Sequence, residues 1–300
     1  DFYLGGVDGG TTATNDPFMA TYGFQIDLNT SFTGEDSLDI SLDAGTGGAG
    51  SLNDLLDLNS AGDGLTVDGV AYTFPVGDKT TAFFGIDTDG NSLFQSGCVY
   101  GGPSDMLDDC GNVNAGITGG GATVGASYDF GNGLTAAFGA QTTEASVFTE
   151  ESGDQYALNL GYTASNYGLA LTYSDVEQAG LTDENQFTAL NAYYTPDSEG
   201  FPSISVGYEF GDIGGAAADA DEQASFFVGL TWDEVGPGSA GIAAGHSNTN
   251  ENADELYQYE AYYAYPVNDS MTITPLIYTL DAAGDADVTT GMMVKTSFKF

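Results

Sequence analysis

The last twelve residues read Thr289-Thr290-Gly291-Met292-Met293-Val294-Lys295-Thr296-Ser297-Phe298-Lys299-Phe300 and decide the fold. Two side-chain sets alternate along this stretch. One set is Met292, Val294, Thr296, Phe298 and Phe300; the other is Met293, Lys295, Ser297 and Lys299. A period of two residues is the pattern of a β-strand with one apolar and one polar face. The stretch therefore predicts a strand whose two lysines share the polar face.

The same alternation recurs along the whole chain. Residues 18–28 place Phe, Ala, Tyr, Phe, Ile and Leu on one face, and residues 19–29 place Met, Thr, Gly, Gln, Asp and Asn on the other. A helical period is scarce, and 51–58 is the one short candidate. Counting the alternating segments predicts about sixteen strands in one domain, 1–300. The predicted spans are 1–8, 18–32, 37–47, 65–76, 80–88, 121–130, 134–147, 153–164, 167–177, 185–195, 203–212, 222–233, 238–248, 255–265, 271–280 and 288–300.

The connections between these segments alternate in length. Tight turns are predicted at 33–36, 77–79, 131–133, 164–166 and 266–269. Between them lie longer, more acidic connections at 9–17, 48–64, 89–120, 213–221, 249–254 and 281–287. Short connections at one end and long ones at the other are typical of an up-and-down outer-membrane barrel. A soluble sandwich with Greek-key crossings has no such rule.

The charge balance excludes several functions. The 300 residues hold 44 acidic side chains and three lysines, with no arginine, for a formal net charge of −41. Nucleic acids and anionic membrane surfaces both require lysine and arginine, so neither is an expected partner. Disorder fits the charge but not the 18 Tyr and 18 Phe. No apolar run is long enough for a membrane helix. The first residues show no signal peptide, so we expect a mature or trimmed chain.

Alternation alone fits both a soluble acidic β protein and a membrane barrel, and three features favour the membrane. The polar faces are rich in small residues, which suits a water-filled lumen. Tyrosine and phenylalanine cluster at strand ends, as in interfacial girdles. The final strand ends in Phe300, like the assembly signal of bacterial outer-membrane barrels. We therefore expect an all-β, transmembrane, antiparallel up-and-down barrel of about sixteen strands in the bacterial outer membrane, in contact with its lipid.

Cys98 and Cys110 lie close together in a Gly- and Asp-rich stretch. With no histidine or further cysteine near them, they suit a short disulfide in an oxidising compartment better than a zinc site. No cofactor or metal site is expected. Asp87–Asn91 has the oxygen spacing of a calcium-binding loop, but the glutamate that closes such a loop at its twelfth position is missing. No enzyme is expected either. His246, the sole histidine, lies on the apolar face of its strand, and Ser247 points to the opposite face.

The closing stretch 289–300 resembles the end of cyanobacterial major outer-membrane porins of the carbohydrate-selective porin superfamily. The segments Cys98–Ser104 and Leu107–Asn112 look like the cysteine-bracketed loop of its marine members. The resemblance implies a sixteen-stranded barrel, commonly a homotrimer, for passive entry of ions and small solutes. Family members usually carry an N-terminal surface-layer-homology domain and a stalk. Neither is in these residues, so wall binding is not predicted.

Strand counting makes 89–120 the third and longest outer loop. In general porins the third loop folds into the lumen and narrows it, and a disulfide would hold this one in place. The constriction candidates are Tyr100, Asp105, Asp108 and Asp109. The alternative is a surface loop protected against proteases. The predicted lumen charges are Lys295, Lys299, Asp27, Asp39, Asp43, Asp129 and Glu209.

With three lysines and no arginine, the charge balance predicts a porin with weak cation preference. Two other functions stay open: a structural barrel with a loop-plugged lumen that acts as an anchor or coat, and a soluble acidic β protein.

Overall fold

The computed structural model describes eleven stretches of the chain: residues 1–9, 18–46, 62–104, 107–118, 120–143, 147, 153–177, 184–198, 200–216, 220–282 and 287–299. The short helix candidate 51–58 and the terminal Phe300 lie outside these ranges. None of the described residues forms a helix that could span a membrane.

Sixteen antiparallel strands form a closed barrel, in which each strand pairs with its neighbours in sequence and β1 pairs with β16. The predicted fold class is therefore confirmed. The strands are β1 Phe2–Asp8, β2 Phe18–Thr30, β3 Ser37–Gly45, β4 Gly62–Pro75, β5 Thr80–Ile86, β6 Ala122–Gly131, β7 Leu134–Thr142, β8 Asp154–Thr163, β9 Tyr167–Val176, β10 Asn185–Tyr194, β11 Ser203–Asp212, β12 Glu222–Val235, β13 Gly238–Asn250, β14 Gln258–Asn268, β15 Met271–Leu280 and β16 Thr289–Phe298.

The two faces of each strand separate as the alternation predicts. In β1, Tyr3 is 2% exposed on the inside and Leu4 is 47% exposed on the outside. The outer surface carries many large apolar side chains, and their rings pair at strand ends. Phe2 and Phe298 lie 5.9 Å apart at the β1–β16 junction, for example. Apolar side chains exposed around a closed wall favour an apolar surrounding, because in water each forfeits its transfer free energy.

The predicted strand ends hold to within three residues, except that β7 ends at Thr142 and not at 147, and one turn is placed too early. The sequence places a turn at 266–269, but β14 runs through Pro266 to Asn268. Proline lacks the N–H that a regular ladder needs, and the register of β14 against β15 shifts between Pro266 and Asn268. This β-bulge accommodates the proline, so the turn contracts to 269–270.

The β2–β3 turn is organised around one carboxylate. Oδ1 of Asp36 accepts hydrogen bonds from Ser31 Oγ at 2.6 Å, from Thr33 Oγ1 at 2.7 Å and from the backbone N–H groups of Phe32 and Thr33. Its Oδ2 accepts from Tyr72 OH at 2.6 Å. These hydrogen bonds lower the pKa of Asp36 below its usual range; the bond from Ser31 has the largest effect, followed by the bond from Tyr72.

Because the folded-state pKa of Asp36 is depressed, its contribution to stability is present above the unfolded pKa of about 4 and is lost as the pH falls below it. We expect Asp36→Ala to lower the urea midpoint of unfolding at pH 7 and to flatten its decline between about pH 4 and pH 2. The fluorescence of the single Trp232 reports unfolding. Glu35→Gln removes a carboxylate of the same turn without removing these acceptors. An equal effect of the two variants would contradict the assignment.

Candidate functional site

The long connection between β5 and β6 lies inside the barrel, along the inner wall from β6 to β14. We call its residues 87–121 the inner loop; the described parts are 87–104, 107–118 and 120–121. Its contacts follow the strand order. The Oγ1 atoms of Thr88 and of Thr123 on β6 are hydrogen-bonded at 2.9 Å. Gln95 is hydrogen-bonded to Asn159 on β8, and Tyr100 is hydrogen-bonded to Glu260 on β14. The inner loop therefore covers about half of the inner wall of the barrel.

The first half of the inner loop is held by backbone-to-amide pairing. Asn159, which is 3% exposed, accepts a hydrogen bond from Gln95 N at 2.9 Å and donates one to Gln95 O at 3.1 Å. On the same wall, Gly161 provides the space for the Gln95 side chain, since a Cβ there would collide with it. A reciprocal pair of this kind satisfies the backbone of a loop that has no strand partner.

Tyr100 anchors the middle of the inner loop. Its hydroxyl donates to Glu260 Oε1 at 2.7 Å, and its ring lies 5.4 Å from that of Phe227 and 6.1 Å from that of Tyr262. Burial, followed by the nearby Glu260 carboxylate, raises the pKa of Tyr100 well above its usual range. The side chain is 6% exposed, and Gly229 leaves the room for its ring. Tyr100, predicted to line a constriction, is instead packed into the wall.

Cys98 and Cys110 form the predicted disulfide, with Cα atoms 6.5 Å apart. The bracket is fixed to the wall on both sides. Val99 N donates to Ser205 Oγ at 3.0 Å, and Asn191 Nδ2 donates to Cys110 O at 2.8 Å. Gly207 is required there, because a Cβ at that position would overlap the carbonyl oxygen of Cys110. Inside the bracket, Asp105 lies outside the described residues.

Glu209 holds the second half of the inner loop. Its carboxylate accepts hydrogen bonds from Asn114 N at 2.7 Å, Asn114 Nδ2 at 2.7 Å and Ala115 N at 2.8 Å. Ser174 Oγ donates to Asn114 O at 3.1 Å beside it. Glu209 lies on the lumen face but is 1% exposed, because the loop covers it. It therefore acts as an acceptor for the loop backbone.

The opposite wall presents carboxylates to the lumen. On β2 and β3, Asp27 accepts from Ser41 Oγ at 2.8 Å, Asp39 accepts from Asn29 Nδ2, and Asp43 accepts from Thr66 Oγ1 at 2.8 Å. Asp27 is exposed, Asp39 half-buried and Asp43 buried. Asp129 lies near the short-turn end of β6 and is exposed. Asp108 and Asp109 of the inner loop are exposed as well.

The three lysines are dispersed. Lys295 lies half-buried on the lumen face of β16, with Nζ 3.5 Å from Asp1 Oδ2. Lys299 is exposed just past the end of β16, and its backbone N–H donates to Ser270 O. Lys79 lies in the β4–β5 turn, with Nζ 5.9 Å from the ring centroid of Tyr128. No basic cluster therefore stands opposite the acidic wall.

Sequence reasoning missed the wall residues that hold the loop, namely Asn159, Ser174, Asn191, Ser205 and Glu260. A usable signal was present in the lumen faces. Those of β8–β13 are rich in Gly, Ala and Ser, whereas those of β2 and β3 carry Asp, Asn and Gln. Small side chains leave room for a second layer, which marks the wall that a loop can cover.

Neither a family model nor a curated protein sequence matches this chain. Solved structures do. OprB of Pseudomonas putida is 12% identical, with a TM-score of 0.67, over 100% of this chain and 93% of that one. Two variants of the Rh. blastica porin are 13% and 14% identical, with TM-scores of 0.63 and 0.64, over 100% of this chain and 98% of theirs. The chain shares the 16-strand fold of these bacterial porins.

Proposed function

We propose that the protein is a passive diffusion channel for ions and small hydrophilic solutes. This proposal rests on the position of the inner loop, which lies against one side of the barrel wall. Sixteen strands enclose an aqueous lumen, and the loop's contacts run along β6–β14 while the β2–β3 wall keeps its polar side chains toward the lumen. A loop fixed in this way narrows the lumen without needing to move.

We further propose a weak preference for cations. Asp27 and Asp39 give the surface of the open wall negative charge, the buried Asp43 lies beside them on β3, and Asp108 and Asp109 add exposed carboxylates on the loop. The single lysine of the described lumen wall, Lys295, is held beside Asp1. Carboxylates along a narrow lumen raise the local cation concentration.

Conductance in planar bilayers tests both statements. We expect stepwise, ohmic currents, and a reversal potential under a salt gradient that indicates cations. Asp27→Asn/Asp39→Asn/Asp43→Asn should reduce the cation-to-anion permeability ratio by roughly twofold or more, because it removes the carboxylates of the open wall.

The matched control is Glu35→Gln/Asp78→Asn/Asp269→Asn, which makes the same change in net charge in three short turns. This control should leave the ratio unchanged. Anion preference at neutral pH would contradict the proposed selectivity. The absence of any open-channel current from folded protein would contradict the channel itself and favour the loop-plugged structural barrel.

We also propose a bacterial outer-membrane location and a homotrimeric assembly, in line with the resemblance to cyanobacterial porins stated above. The apolar outer wall supports residence in lipid, and it can serve a neighbouring copy equally well. Extraction that requires detergent, followed by light scattering of the purified protein, tests both. Release into detergent-free buffer would favour the soluble acidic β protein.

A further inference from the structure

The outer wall carries a cavity at the long-loop end of β9–β13, separate from the lumen. Its volume is about 610 Å³. Aromatic rings form one side, and carboxylates surround it toward the loops. We call it the rim pocket; its lining includes Tyr208, Phe210, Asp212, Glu222, His246 and Glu255. Tyr208 is 47% exposed and Phe210 47% exposed, so both face outward.

An apolar groove of about 650 Å³ continues the rim pocket along the wall. The two meet at Tyr208, which lines both. Leu171, Leu190 and Val206 form the sides of the groove and are 42%, 51% and 41% exposed. Ala192 lies between them on the same face of β10 and is small enough to leave the groove open. The surface therefore offers a polar end and an apolar end in one continuous depression.

The pocket lies at the level where the strands leave the apolar layer. Tyr208 and Phe210 have ring centroids 6.1 Å apart, and beside the pocket the rings of His246 and Tyr257 are 5.6 Å apart. Aromatic rings at strand ends mark the interface between acyl chains and headgroups. The groove therefore lies at acyl-chain depth and the rim pocket at headgroup depth.

The rim pocket attracts positive charge. Asp212, Glu222 and Glu255 line it, and His246 can supply at most one compensating charge. The chain's lysines lie elsewhere: Lys79 and Lys299 at the short-turn end and Lys295 in the lumen. The aromatic faces favour a cation too. A ligand that fits both ends needs a cationic group with N–H donors and an apolar chain.

We propose that this depression binds one class of membrane lipid, a lipid whose headgroup carries a primary amine. The ammonium group occupies the rim pocket among the carboxylates, and an acyl chain lies in the groove past Ala192. This site does not depend on the channel function, because the lumen contributes none of the residues used here.

Native mass spectrometry of the full chain, released from detergent with added lipid, tests the proposal. The probes are phosphatidylethanolamine and its N-acetylated form, which keeps the phosphate and both chains but loses the ammonium charge. We expect phosphatidylethanolamine to be retained about 10-fold more tightly, the value of one charge-assisted hydrogen bond. Phosphatidylcholine, which is cationic but has no N–H donor, should fall between them.

Two variants locate the binding. Glu222→Gln/Glu255→Gln should abolish the preference for the free amine and leave the weak binding of the N-acetylated lipid. Ala192→Trp should weaken all the lipids, since it fills the groove. The controls are Asp8→Asn, an exposed carboxylate at the end of β1, and Ala82→Trp, an outward alanine on β5. Neither control should change retention.

Three outcomes would overturn the proposal. The first is equal retention of the amine and N-acetylated lipids. The second is binding of phosphatidylglycerol that requires calcium and disappears with a chelator, because the carboxylates would then hold a metal-bridged phosphate. The third is loss of lipid retention only on dissociation of an oligomer, because a second copy of the chain would then form the site.

Discussion

Glu209→Ala is expected to release the second half of the inner loop from the barrel wall. The substitution removes the acceptor of three hydrogen bonds, from Asn114 N, Asn114 Nδ2 and Ala115 N. Bonds to a charged group are worth about 1.5–3 kcal/mol each, and two of the lost partners are backbone N–H groups, those of the part-buried Asn114 and the buried Ala115. We therefore expect the free energy that holds this segment against the barrel wall to fall by about 3 kcal/mol.

Hydrogen exchange measured by mass spectrometry on the folded protein checks this result. Peptides that span 113–118 should exchange roughly 100-fold faster in Glu209→Ala, the factor that corresponds to about 3 kcal/mol of local opening. Peptides from β2 and β3 should not change. In bilayers, the variant should show noisier open-channel current, because the loop samples the lumen.

The matched variant for this experiment is Glu209→Gln. It keeps one carbonyl oxygen as an acceptor and should give an intermediate acceleration. Unchanged exchange of 113–118 in Glu209→Ala would show that other contacts suffice. Ser174 Oγ to Asn114 O would then be the first to examine.

Tyr100→Ala is expected to release the middle of the same loop. The ring is 6% exposed and packs against Phe227 and Tyr262, so its removal leaves a cavity that costs about 3–5 kcal/mol. Glu260, which is 3% exposed, also loses the hydroxyl that donates to it. The disulfide between Cys98 and Cys110 should then react with a soluble reductant about 10-fold faster or more, because local opening exposes it.

Tyr100→Phe separates the two contributions. It keeps the ring and removes the hydrogen bond, so it should cost about 1–2 kcal/mol and accelerate reduction only slightly. A double-mutant cycle with Glu260→Gln measures the coupling between the hydroxyl and the carboxylate. If Tyr100→Ala and Tyr100→Phe give the same rate of reduction, the ring is not the anchor.

Two of the loop's attachments to the wall join residues that are far apart along the chain: Tyr100 lies within the disulfide bracket, and Asn114 follows it. Tyr100 and Glu260 are 160 residues apart in sequence, and Glu209 and Asn114 are 95 apart. With both attachments on one wall, the loop backbone is satisfied without strand pairing, which lets a segment of irregular structure remain ordered inside a barrel.

The sequence predicted the faces of the barrel wall but not where the inner loop lies against it. The period-two pattern placed the inward and outward faces of β2, β3, β11 and β16 correctly from local sequence, because alternate side chains of any strand point to opposite sides. The same pattern placed both Asp27 and Glu209 on the lumen face. It could not separate the exposed Asp27 from the covered Glu209, since that difference depends on where a distant loop lies.

Local sequence by itself therefore determined the number of strands, their faces, the order of short and long connections, and the pairing of the two cysteines. Each of these follows from neighbours a few residues apart or from the closure of one small loop. Only the tertiary structure decided which half of the lumen the loop covers, and which carboxylates it buries. The physical reason is that closure of the barrel brings β8–β14 beside residues 95–104 and 107–115, and small residues such as Gly207 and Gly229 leave room for them there.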